Sequence, residues 1–429
     1  MNRRPAGSPS PWLWIPSLYF GQGIPYVVVM TLSVVMYKNL GVSNTDLALY
    51  TSWLYLPWVI KPVWSPLIEL FGTKRLWIVA LQFAVGASLA CVALTVPGPG
   101  FFKMTLAVFW LMAFASASHD IAADGFYMLA LPQHSQAAFV GVRSTFYRLA
   151  NIGGQGGLVY LAGELQERTG SMQTAWSMVF LVLAVLFVVL GSVHWFVLPR
   201  PASDTRGGGR IQTVQLMTEF IQVFAAFFKK PGILVVLGFL LLYRFPEAQL
   251  LKLATPFLLD DPQLGGLGLS NKEVGIAYGT VGLTALTLGG LLGGWIISRW
   301  GLKRVLWTLV LLMHVPNAVF VVLAAVQSQN LVLVSMALAV EQFGYGLGFT
   351  AYLMYMILVA DGPHKTAHYA ICTGFMAMGM MLPGMWSGWL QQQIGYLPFF
   401  GWVMLATIPS FVMTALIKIP DDFGRKAAP

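Results

Sequence analysis

The sequence predicts an all-α membrane protein whose twelve transmembrane helices form two pseudo-symmetric six-helix halves. Three observations lead there. The 429 residues are 57% hydrophobic and only 10% charged, with a mean hydropathy of +0.71, whereas a soluble domain carries about 25% charged residues. The apolar residues come in blocks of roughly 20 or more, the length that crosses ~30 Å of hydrocarbon as helix. A loop sequence also recurs at an offset of just over half the chain.

The expected helices span 12–36, 46–67, 76–96, 103–130, 138–162, 174–198, 232–258, 273–298, 304–326, 331–360, 367–391 and 397–418. The first follows Arg3 and Arg4 as a secretory signal would, but it is too long, contains Gly21, Gly23 and Pro25, and lacks a small-residue cleavage site. It reads as an uncleaved helix. Trp12, Trp14, Trp77 and Trp402 mark helix ends at the membrane interface. Cys91 and Cys372 lie inside apolar segments and form neither a metal spacing nor a disulfide framework. The glycine runs Gly21-Gln22-Gly23 and Gly153-Gly154-Gln155-Gly156-Gly157 lie within apolar spans, so they serve close helix approach and bending rather than phosphate binding.

Between the sixth and seventh helices lies a linker, 199–231. It contains Pro199, Pro201, Gly207-Gly208-Gly209 and the bases Arg200, Arg206, Arg210, Lys229 and Lys230, and is expected to be flexible. Within it, 211–228 alternates enough to lie as a helix on the inner membrane surface. The expected domains are therefore 1–198, the linker 199–231, and 232–429. A formal charge of +9 does not indicate nucleic acid, because the bases are scattered through short loops. With the N-terminus inside, seventeen Lys and Arg residues fall on cytoplasmic segments and four (Lys38, Lys103, Arg168 and Lys272) outside. Both termini are thus expected in the cytoplasm.

The repeat is Ser65-Pro-Leu-Ile-Glu69-Leu-Phe-Gly72-Thr-Lys74-Arg75 against Gly294-Trp-Ile-Ile-Ser298-Arg-Trp-Gly301-Leu-Lys303-Arg304. At one constant offset, Gly72 matches Gly301, Lys74 matches Lys303 and Arg75 matches Arg304. Two halves joined by a basic linker resemble the parallel-repeat architecture of major facilitator transporters, and each loop copy resembles that superfamily's signature. The resemblance implies that Glu69, Lys74, Arg75, Lys303 and Arg304 help hold the cytoplasmic side closed. It also implies that helices 1, 4, 7 and 10 line a central cavity.

The deep ionisable residues fall mainly on those helices, and such residues are functional candidates because each costs about 2.5–3.5 kcal/mol at a helix centre. Helix 4 carries His119, Asp120 and Asp124, with both carboxylates on one face and His119 about 100° round. Helix 7 carries Arg244, Glu247 and Lys252, and helix 10 carries Glu341 and Tyr345. Asp124 with Arg148 reads equally well as a structural ion pair, and Arg244 with Glu247, three apart, as a self-neutralising pair. Glu341 has no base close by in sequence, so it is a candidate for proton exchange or solute binding. Gln22 and Gln155 offer cavity hydrogen bonds.

Within the superfamily the chain is similar to the AmpG muropeptide permeases and their relatives. The similarity rests on Phe20-Gly-Gln-Gly-Ile-Pro25, Lys61-Pro-Val-Trp64-Ser65-Pro66-Leu67, Ala115-Ser-Ala-Ser-His119-Asp120-Ile-Ala-Ala-Asp124, Tyr147-Arg148-Leu149 and Glu341-Gln-Phe-Gly-Tyr-Gly346-Leu-Gly348. It departs from the permease pattern at His119 and at Arg244-Phe-Pro-Glu247, which leaves the solute open. The resemblance implies a monomeric proton-driven importer of a sugar-containing solute in a bacterial inner membrane, working without cofactor or metal. A permease for a siderophore, glycoside or other organic anion is the alternative. A receptor or membrane enzyme on the same fold is a third reading, but the sequence holds no metal motif, activated nucleophile or phosphate loop.

Overall fold

The computed structural model describes residues 9–425 except Pro132, Ser203, 205–217 and 219–220. Side chains are also left undescribed at Pro66, Leu67, Glu69, Leu70, 133–138, 140, 141 and 366. The secondary structure of the described chain is all helical, with no strand among the described residues. We number its long helices α1 (Pro11–Asn39), α2 (44–70), α3 (Lys74–Thr95), α4 (Phe101–Ala130), α5 (133–169), α6 (Met172–Val197), α7 (Ile233–Leu259), α8 (Asn271–Trp300), α9 (Leu302–Val326), α10 (Leu331–Ala360), α11 (Lys365–Ile394) and α12 (Tyr396–Leu416).

Among the described residues, nine of these are long and apolar enough to cross a membrane, all but α2, α5 and α11. Each exception has a local cause. A turn at Leu54–Tyr55 divides α2, Arg, Asn, Gln, Glu and Gly lower the hydropathy of α5, which also carries a π-helical segment at Gly153–Leu158, and Gly, Ser, Trp and Gln dilute α11. Further π segments lie at Val28–Leu32, just after Pro25, and at Gly275–Gly282. Such segments bend a helix without ending it. The expected surface helix 211–228 falls largely outside the described residues, though 221–228 is helical.

Helix starts follow capping chemistry. Ser43, Thr73, Ser171 and Asn330 accept from first-turn N–H groups, and Ser270 forms a capping box with Glu273. The two copies of the repeated loop share a backbone reason for their glycine. Gly72 has φ 73° and Gly301 φ 82°, a region that costs a side chain dearly.

The chain packs as two compact units. The first comprises Met1–Ser33, Ile60–Gly154 and Glu164–Ile221; the second comprises Val34–Val59, Gln155–Gly163 and Gln222–Pro429. In the first, α3 lies against α4 and α6, and α1 against α4 and α5. Its core gathers Trp14, Leu18, Tyr19, Ile78, Phe126 and Tyr127. In the second, α10 is the hub, packed on α8, α9 and α11, while the first half of α2 lies along α11.

Backbone approach sets the second unit's crossings. A Cβ on Gly289 would collide with the Phe343 carbonyl of α10, one on Gly344 with that of Leu312, and one on Gly346 with that of Leu286. In a membrane, such small-residue contacts supply the packing that holds helices together. Gly289→Val is therefore expected to cost about 1–3 kcal/mol or more through overpacking, read as a lower melting temperature of the purified protein. Gly294→Ala, whose Cβ would meet Thr350 at an ordinary 3.9 Å, should melt like the wild type.

Candidate functional site

In the first unit, α4 presents its candidate residues His119, Asp120 and Asp124 to different neighbours. Asp120 accepts from the Gln22 amide at 2.7 Å and pairs with Lys61 at 3.4 Å. Asp124 accepts from Arg143 at 2.8 Å and from the Tyr19 hydroxyl at 3.3 Å, and the Arg143 guanidinium stacks over Tyr19 and Tyr127.

His119 does not share Asp120's partners. It is turned into the helix packing and joins a buried polar chain, His119–Gln82–His194–Ser17, with links of 3.3, 2.9 and 2.9 Å. With each group facing another helix and every link satisfied, this chain reads as packing between α1, α3, α4 and α6.

The base expected for Asp124 is Arg148; the structure supplies Arg143. The reason is depth. Helix α5 begins at Gln133, five residues before the sequence suggests. Asp124 lies ~9 Å from its helix end, against ~15 Å for Arg143 and ~22 Å for Arg148, at 1.5 Å per residue.

The side chain of Glu69 lies outside the described residues. Among the described residues, the acids that meet the repeated loops come from the segments after α6 and α12. Asp204 accepts from the backbone N–H groups of Lys74 and Arg75 at 2.8 and 3.1 Å, and Arg75 reaches the Leu198 and Trp195 carbonyls. In the second copy, where Ser298 replaces the acid, Asp421 pairs with Lys303 at 2.5 Å, and Arg304 is exposed. Hydrogen bonding and charge from Lys303 hold the Asp421 carboxyl below its usual range.

The second unit holds the remaining candidates. Helix α7 breaks at Tyr243–Arg244 and restarts at Phe245 with Pro246 in its first turn. Arg244 and Glu247 do not pair with each other. Arg244 donates to the Tyr345 hydroxyl and lies over the Phe349 ring, 4.8 Å from its centre. Glu247, 1% exposed, hydrogen-bonds with His314 at 2.7 Å and accepts from Asn317 at 3.3 Å; His314 continues to Ser410 at 2.6 Å.

Glu341, also 1% exposed, accepts from its neighbour Gln342 at 2.9 Å and is in no ion pair among the described residues. Lys252 donates to Thr51 at 2.9 Å and lies 5.3 Å from the centre of the Tyr55 ring. Gln155 is half-buried in the π segment of α5, its main chain against Gly279 of α8.

Sequence reasoning missed a second cluster in this unit. Asp260, at the end of α7, pairs with Lys38 at 2.5 Å and accepts from Tyr396 at 2.6 Å and Asn44 at 3.3 Å. Asn44 also donates to Gln391 at 2.8 Å and to Tyr396 at 2.9 Å. In the sequence Lys38 is one loop charge among others, and nothing local distinguishes it. His314 and Asn317 are likewise unmarked there, although a histidine inside the apolar α9 is a readable signal.

Comparison with known proteins agrees with this architecture. Residues 17–246 match the sequence profile of the Major Facilitator Superfamily. The chain is 27% identical over 411 residues to an uncharacterized protein of Haemophilus influenzae, covering 92% of this chain and 91% of that one. It is 25% identical over 419 residues to the anhydromuropeptide permease of Escherichia coli K12, covering 95% and 80%. Among solved structures, the nucleoside transporter NupG superposes with a TM-score of 0.69 at 14% identity, covering 94% of this chain and 99% of that one. A D-xylose–proton symporter superposes at 0.63 with 12% identity, covering 96% and 98%.

Proposed function

The chain belongs to the major facilitator superfamily, and from that premise we propose a proton-coupled importer of a sugar-containing solute, such as an anhydromuropeptide, in a bacterial inner membrane. It is a multi-pass permease of a small-molecule solute rather than an enzyme. The observation that carries the finer reading is Glu341, a carboxyl within the long apolar helix α10, buried and free of any ion pair among the described residues. An intramembrane carboxyl without a counter-charge is retained at a cost, and proton relay is the common use for one. The similarity to the anhydromuropeptide permease supports the solute class.

In this reading the protein works as a monomer in lipid, with both termini and the 199–231 linker in the cytoplasm. The repeats 1–198 and 232–429 carry solute by alternating access. Gln22, Asp120 and Lys61 in the first unit, and Arg244, Lys252, Glu341 and Tyr345 in the second, are the residues that contact solute or proton. Asp124 with Arg143, and the loop bases with Asp204 and Asp421, steady the cytoplasmic end.

Purified protein in liposomes with an alkaline interior tests the proposal, using a labelled anhydro-muramyl peptide. Accumulation above the external concentration, collapsed by a protonophore, is expected. Uptake that only equilibrates, with or without the gradient, would remove the proton coupling, and no uptake at all would remove the solute.

A further inference from the structure

Two cations on α7 are buried and in no ion pair among the described residues. Arg244 is 7% exposed and Lys252 5%. Of the two acids in that region, Glu247 gives its Oε1 to His314 and Asn317 and lies within electrostatic reach of Arg244 without hydrogen-bonding it, and Glu341 accepts from Gln342.

Their hydrogen bonding is also incomplete. The Arg244 Nε atom is buried with no acceptor, and among the described residues its guanidinium makes one hydrogen bond, to the Tyr345 hydroxyl. The Lys252 ammonium, with three protons to donate, has one acceptor among them, the Thr51 hydroxyl. Beside the Lys252 stem, the buried Ser52 hydroxyl is likewise unpartnered.

The two positions form one site. Eight residues of helix place them ~12 Å apart along α7 and ~80° apart around it. Tyr55 links them, its ring 5.3 Å from the Lys252 ammonium and within electrostatic reach of Arg244. Tyr345 and Phe349 wall the Arg244 end. Burying a charge with its donors unfilled is costly, and a planar guanidinium edge matches a carboxylate in two-pronged fashion.

We propose that Arg244 and Lys252 receive the anionic groups of the solute, so that the cargo is an organic anion whose carboxylates complete these hydrogen bonds while its apolar part meets Tyr55, Tyr345 and Phe349. This deepens the transporter reading by naming the cargo's charge, and it rests on that reading.

N-acetylmuramic acid and its methyl ester differ by one negative charge and serve as probes. Binding is read as a rise in melting temperature of the purified protein. The acid should stabilise the wild type and the ester should not. Arg244→Gln and Lys252→Met should each weaken acid binding at least tenfold, with Arg244→Lys recovering part of it. Without probe, both variants should melt at or above the wild type, because an uncompensated buried charge is gone.

Equal response to acid and ester, a preference for the acid that survives in both variants, or lower melting of both probe-free variants would each overturn the proposal. Acid-selective binding without uptake in liposomes would sink the importer reading and leave this one standing. Uptake of the ester in preference to the acid would do the reverse.

Discussion

Glu341→Gln is expected to abolish proton-driven accumulation of solute while leaving counterflow exchange largely intact. The glutamine keeps the size of the side chain and can still hydrogen-bond Gln342, so α10 should pack as before. What it cannot do is gain and lose a proton. Proton affinity of a carboxyl depends on its solvation, and a group that changes surroundings as the halves rock ties proton binding to conformation. In liposomes the accumulation ratio should fall to about 1, with exchange retained within about twofold, since solute binding and rocking do not require the proton. If Glu341 binds the solute directly, exchange and accumulation fail together, and that result would refute the coupling role. If it is only a packed polar group, both activities survive.

Removing the carboxylate at Asp260 should have the second large effect. In this structure the end of α1 and the start of α2 are held to α7, α11 and α12 through Lys38, Asn44, Asp260, Gln391 and Tyr396. Asp260→Ala leaves a nearly buried ammonium without its charge partner, a loss of about 3–5 kcal/mol for the packing that contains it. A competing arrangement in which residues 34–59 leave α7 and α11 loses nothing, so its population should rise.

The reporter is Leu47→Cys, fully buried one turn beyond Asn44, in protein whose own Cys91 and Cys372 have been replaced. Its labelling by a water-soluble maleimide should increase at least tenfold, since about 1.4 kcal/mol is worth a factor of ten. Replacing both partners, as Lys38→Met with Asp260→Leu, should raise labelling less, because no unpaired charge remains. Unchanged labelling in Asp260→Ala would show that the cluster follows the packing and does not hold it.

The first of these experiments follows from the sequence, which marks Glu341 as an isolated acid; the second does not, although the sequence's reading of the helices was accurate outside α5. The expected helix 331–360 coincides with α10, and 76–96 and 174–198 differ from α3 and α6 by two residues or fewer at each end. Apolar blocks and caps are local properties, and a bilayer enforces them one helix at a time. The glycine shared by the two loops, Gly72 and Gly301, is visible in the sequence as a coincidence between the halves, and its positive φ gives the reason.

The partners of the buried charges were a different matter. Aspartate and arginine positions on α4 and α5 were legible, yet a five-residue error in the start of α5 was enough to put Arg148 where Arg143 stands. His119 and Asp120 are adjacent in sequence, but one enters the Gln82–His194 chain and the other meets Gln22 and Lys61.

The sequence by itself determined that this chain spans a membrane with α-helices, where all of those helices but α5 begin and end to within about three residues, and which few residues carry charge into them. Only the tertiary structure decided what those charges meet: His314 for Glu247, Tyr345 for Arg244, Thr51 for Lys252, and Lys38 for Asp260. Every one of these pairs joins side chains from distant parts of the chain. Helix formation depends on near neighbours and on the solvent. Pairing depends on how each helix is rotated and which distant helix packs beside it, and in hydrocarbon that choice is made by close backbone approach at residues such as Gly289, Gly344 and Gly346.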